Sequence, residues 1–292
     1  MEEKYLVNYT KQERRLSLIT DIVIFLLLSF SAFLLLNIFK EIFLTYSLES
    51  DNLVEVSSTQ DLIEFENIEY VNKIKNEFFI NVKYGNSQKD VAKSVGANVQ
   101  TSSPIINNNL KLIYSSLSKY NKEMFENFQK EGLKINIIIF DSFNNDNLAL
   151  ASKNKLNQFT IYLSNVVRLD RALHHEMCHV LEYYMSNKNV EFDYWDYLNP
   201  DDFSYNNSTE GISSKYIYYL SNYSQDNMSD TYFVTKYSKV NEKEDRAEIF
   251  AEIMSSTMPL QYMDDKTPIY YKAKYLFKTI NNNILYANLE KI

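Results

Sequence analysis

The sequence predicts an α+β chain preceded by a single apolar helix, and three observations carry that reading. A charge-free run of 18 residues, Ile22–Phe39, is long enough to cross a bilayer. A β-branched stretch, KINIIIFDSF from Lys134 to Phe143, reads as a strand and is followed by two shorter strand candidates. Immediately afterwards, apolar residues at helical spacing carry every histidine of the chain: His174, His175 and His179. The composition is that of a globular body, with 292 residues, 45% hydrophobic and 23% charged. With 38 Asp+Glu against 30 Lys+Arg, the net charge of −8 argues against a nucleic-acid partner, whose binding rests on neutralised phosphates. One cysteine excludes an intramolecular disulfide and every Cys-rich metal module.

Taken in order, residues 1–21 hold Lys4, Lys11, Arg14 and Arg15, whereas only Lys40 follows the apolar run before Lys73. The bias of basic residues predicts a cytosolic segment over 1–21, a transmembrane anchor over 22–39 and an exported body. No small-residue cleavage site follows the run, so an uncleaved single-pass anchor in the cell membrane is expected. An extracellular body without disulfides suits a bacterial surface, with a Gram-positive one expected, better than a eukaryotic one, and the abundance of Lys, Asn, Ile and Tyr agrees. Residues 48–103 lack any chemical motif and read as a stalk or small α+β module.

From Asn108 to about Gln129, Leu110, Ile113, Tyr114, Leu117 and Phe125 recur at helical spacing. After the strand Lys134–Phe143, NLALAS (Asn147–Ser152) and QFTIYLS (Gln158–Ser164) read as two more strands, the second expected at the sheet edge. A helix is predicted from about Leu169 to Met185, with Asp170 placed to favour the macrodipole. Residues 186–240 read as long loops, Glu242 to about Met258 as a helix, and a last helix starts at Pro268 behind Thr267 as N-cap.

His175-Glu176-Met177-Cys178-His179 spells H-E-x-x-H. On a helix the two histidines lie one turn apart on one face, so both imidazoles can reach one Zn²⁺, with Glu176 beside them to take a proton from water. His174 points about 100° away and reads as a packing residue, and Cys178 as a buried thiol. A catalytic zinc takes three protein ligands and keeps one position open. With no histidine left, the third ligand is Asp or Glu, or less favourably Cys178. The extended three-histidine metzincin pattern is excluded, because Glu182 and Met185 stand where it needs its glycine and last histidine. Glu244, Glu248 and Glu252 instead fall on one helical stripe. Like charges at that spacing destabilise a helix unless a cation faces them.

HHEMCHVLE together with EDRAEIFAE resembles the gluzincin metallopeptidases, and within them the branch of anthrax lethal factor and the clostridial Pro-Pro endopeptidases. The resemblance implies a zincin-like catalytic domain over 104–292, with a small sheet, an active-site helix and downstream helices. That branch reads E-x-x-A-E-x-F on its second helix, which Glu244–Phe250 matches. The register starting at Glu248 fits all but its last position. By the first register Glu244 is the third zinc ligand, Glu248 the carboxylate that orients a ligand histidine, and Tyr237, seven residues ahead, a catalytic tyrosine. The resemblance departs from the branch in the 64 residues between His179 and Glu244, so substrate preference does not carry over.

The expectation is therefore a membrane-anchored extracellular zinc endopeptidase acting on protein or peptide substrates. Its metal is held by His175, His179 and Glu244, Glu176 is the general base, and Tyr237 is a hydrogen-bond donor to the oxyanion. The rival is an inactive zinc-fold module that binds peptide or cell wall at the surface. An intramembrane protease is disfavoured, because His175 lies 136 residues beyond Phe39 on a polar amphipathic segment.

Overall fold

A computed structural model describes residues 59–145, 148–155, 157–166, 168–208, 231–255, 265 and 267–289. The expected anchor at 22–39 lies outside these residues. Among the described residues no helix is long and apolar enough to cross a membrane.

The elements run α1 (Thr59–Phe78), β1 (Ile80–Lys83), α2 (Lys89–Val95), β2 (Ala97–Val99), α3 (Ser103–Leu117), α4 (Lys122–Lys130), β3 (Lys134–Phe143), β4 (Ala149–Lys155), β5 (Gln158–Leu163), α5 (Leu169–Ser186), α6 (Glu242–Ser255) and α7 (Pro268–Asn283). The sheet has the order β1-β3-β5-β4, with β2 pairing the end of β3. β1, β3 and β5 are parallel, and β4 runs antiparallel to β5. Both β1 and β2 come from the stretch expected as a stalk or small module. One sheet thus runs across the boundary expected at residue 103.

β3 organises the core because its alternation serves two faces. Ile135, Ile137 and Ile139 enter the main core with Phe159, Ile161 and Leu163 of β5 and the helices α1 and α3–α7. Ile138 and Phe140 point the other way, against Ala92, Ala97 and Tyr162. Ile137, Ile139 and Phe140 are fully buried, each worth about 1.5–3 kcal/mol of transfer free energy.

Two expectations change. The helical spacing of 108–129 breaks into α3 and α4, because the Asn121 side chain accepts from the Glu123 backbone N–H at 3.0 Å and starts a new helix. The sheet edge is β4, not Gln158–Ser164: β5 is flanked by β3 and β4 and buries Phe159 to Leu163. No residue of β4 is buried, as suits an edge strand.

α7 begins at Pro268 behind an extended Thr267, whose side chain makes no capping bond. α6 has an effective cap: the Asn241 side chain accepts from the backbone N–H groups of Lys243 and Glu244, both at 3.0 Å. That cap fixes the first turn of α6, which carries Glu244. α5 buries Leu169, Leu173, Met177, Val180 and Leu181 and packs along α6, so the histidine helix and the glutamate helix face each other.

Candidate metal centre

His175, Glu176 and His179 sit on the turn of α5 that faces α6, and Glu244 and Glu248 project back from α6. His175 Nε2 lies 3.0 Å and His179 Nε2 3.5 Å from Glu244 Oε2. One ligand atom from each of His175, His179 and Glu244 falls within 4.8 Å of the others. Imidazole, imidazole and carboxylate at this separation are the donor set of a zinc site with one position left open. Electrostatics agrees, because the cluster asks for a cation. Burial resists protonation of His175, yet the carboxylates of Glu244 and Glu248 overcome it and raise its pKa to about 10. Burial likewise opposes the charge on Glu244, but hydrogen bonds from His175 and His179 hold its carboxyl down at about 2.

Glu248 takes the other side of the ring. Its Oε1 is 2.9 Å from His175 Nδ1, which leaves Nε2 turned toward Glu244 and His179. Arg171 holds the same carboxylate with two bonds, Nη2 at 2.8 Å and Nη1 at 3.2 Å, and Thr235 Oγ1 donates to it at 2.7 Å. The structure therefore separates the two glutamates that the sequence left in competition: Glu244 joins the histidines and Glu248 lies behind one of them.

Glu176 is buried and lines the cleft in front of this cluster. Burial pushes its pKa up, His175 and His179 pull it back, and the Ala151 backbone donates a hydrogen bond to its carboxylate. Tyr237 stands in a one-turn 3₁₀ helix, Tyr237–Lys239, with its ring centroid 6.0 Å from that of His175. Burial, then the charges of Glu244, Glu176 and Glu248, push its phenol up to about 12, so it is a hydrogen-bond donor at any physiological pH. The cleft measures about 870 Å³ and is lined by Ala149–Ala151 of β4, by His175, Glu176 and His179 of α5, by Glu244 of α6, and by Tyr237.

His174 and Cys178 stay out of the cluster. His174 is buried, with Nδ1 2.8 Å from the Tyr120 hydroxyl, and Cys178 is a buried thiol whose pKa burial raises well above its ordinary value. Glu182 pairs with Arg246 on α6.

Arg171 escaped the sequence reading. It answers half of the question posed by the acidic stripe, since its guanidinium also reaches Glu252 at 3.2 Å. The signal was present: Arg171 precedes His175 by four residues and shares its helical face.

No curated protein matches the chain. A solved structure similar to it is the crystal structure of "a putative zinc-binding metallo-peptidase from Bacteroides caccae", 16% identical, with a TM-score of 0.44, covering 80% of this chain and 91% of that one. Residues 71–268 match the family described as "Putative zinc-binding metallo-peptidase". With that match spanning more than half its length, the chain belongs to this zinc-binding metallo-peptidase family.

Proposed function

We propose that the protein is a membrane-anchored, extracytoplasmic zinc endopeptidase of gluzincin type. One observation carries the chemistry: the ligand atoms of His175, His179 and Glu244 converge within 4.8 Å beside a buried Glu176, in a cleft bordered by an edge strand. Zinc held there would supply a Lewis acid that polarises a peptide carbonyl and lowers the pKa of water, so that its deprotonated form is available as nucleophile at neutral pH. The remaining work falls to the chain. Glu176 accepts the proton of the attacking water at its carboxylate and delivers it to the leaving nitrogen. Tyr237 donates its hydroxyl hydrogen to the oxygen on which charge develops. Glu248 keeps a proton on His175 Nδ1, so that Nε2, on the side of Glu244, would be free to hold zinc. The outer edge of β4 at Ala149–Ala151 offers backbone groups to an extended peptide.

The charge-free run Ile22–Phe39 and the basic residues before it support the anchor and the outward-facing body. The decisive experiment is metal analysis of the full-length chain with a peptide-library cleavage screen. Stoichiometric zinc and turnover are expected. Stoichiometric zinc without any turnover would replace this reading with the inactive, peptide- or cell-wall-binding module. Protease accessibility of the body on intact cells tests the topology.

A further inference from the structure

Asp245 and Lys272 form an ion pair that the proposed chemistry does not use. Both side chains have 0% exposure, and Lys272 Nζ on α7 lies 2.6 Å from Asp245 Oδ2 on α6. The same oxygen accepts from Trp195 Nε1 at 3.1 Å and from the Tyr205 hydroxyl at 2.8 Å, and Asn199 Nδ2 donates to that hydroxyl at 3.2 Å. The next residue extends the grip: the Arg246 guanidinium lies 4.4 Å from the Phe192 ring centroid and 5.3 Å from that of Trp195. Lys272 is also seated on aromatic faces, 4.0 Å from the Phe233 centroid.

Well-packed apolar side chains of similar volume often stabilise as much as a buried ion pair, which directs attention to the positions this pair fixes. The residues it positions belong to the long segment between the histidine helix and α6. Trp195 is fully buried, whereas Asp196, Asn199, Phe203 and Tyr205 from the same stretch line the cleft that holds Glu176. Asp245 directly follows Glu244, so one turn of α6 holds the candidate ligand and this wall together.

We infer that Asp245 is a positioning residue that fixes residues 192–207 as a wall of the cleft, and that this wall selects the side chains a peptide substrate may carry. The inference rests on the peptidase reading above. The test uses the full-length zinc-loaded protein and two variants, Trp195→Phe and Asp245→Asn. Trp195→Phe removes one donor while keeping an apolar ring, and it remains informative where Asp245→Asn does not fold, since Asn would leave Lys272 uncompensated. Three quantities are read: amide hydrogen exchange over 192–207, zinc content, and KM and kcat on peptides taken from the library screen. Faster exchange, a KM raised roughly ten-fold with kcat nearly unchanged, an altered ranking of library peptides and full zinc content are expected. General loss of stability would lower the active fraction without changing that ranking. Unchanged exchange overturns the role of Asp245. Faster exchange with unchanged KM and ranking overturns the selecting wall. Absence of turnover in the wild type is a different failure: it removes the peptidase reading and the selectivity claim with it, while exchange still decides whether Asp245 fixes the segment.

Discussion

Glu248 Oε1 lies 2.9 Å from Nδ1 of His175, on the opposite side of the ring from Glu244. The carboxylate therefore sets which imidazole nitrogen carries a proton, and Arg171 keeps that carboxylate charged. Glu248→Gln is expected to weaken zinc binding by about 10–100-fold while leaving the fold intact. Competition against a chelator of known affinity measures it. Arg171→Met should act in the same direction, through a Glu248 that is no longer held.

Glu176→Gln removes the proton acceptor and keeps the shape. Zinc content should stay at the wild-type value while kcat falls by about 10²–10⁴-fold. Retained cleavage at full zinc occupancy would show that another group carries the proton.

Tyr237→Phe deletes one donor beside the metal cluster. A loss of about 10²–10³-fold in kcat is expected, with KM and zinc affinity little changed. Because the phenol is pushed up to about 12, no inflection from Tyr237 should appear in the rate between neutral pH and pH 10.

The zinc-free protein has its own pH signature. His175 is raised to about 10 from 6.5. Its ion stabilises the fold fully below about pH 6.5, and that contribution is lost as pH rises through about 10, so the Tm of the apoprotein should drop across this window. Glu244, held at about 2, contributes above about pH 4.5 and loses its contribution as pH falls toward 2. Zinc needs a neutral imidazole, so binding at pH 7–8 should release about one proton per chain. Calorimetry in buffers of different ionisation enthalpy reads that number.

What the sequence announced was local. H-E-x-x-H on a helix, the i, i+4 glutamates and the Thr267-Pro268 start each lie within a few residues, and the structure has those elements where the periodicity put them. What it concealed depended on distant partners. The alternation of β5 fits an edge or an interior strand equally, and only its pairing with both β3 and β4 decides. Residues 59–103 carried no motif because their contribution is to extend and cover a sheet whose centre lies at residues 134–143. Asp245 carried no signal of its own in the sequence. Its three side-chain partners stand at positions 195, 205 and 272, beyond the reach of any local pattern.

The place of Lys272 has a consequence for biosynthesis. The chain emerges with α5 first, then α6, then α7, and the charge that neutralises Asp245 arrives only with the last of these. Until then Asp245 lacks that partner, and burying it together with the turn of α6 that bears Glu244 costs free energy. A metal centre built this way reaches its final geometry only when α7 has docked against α6.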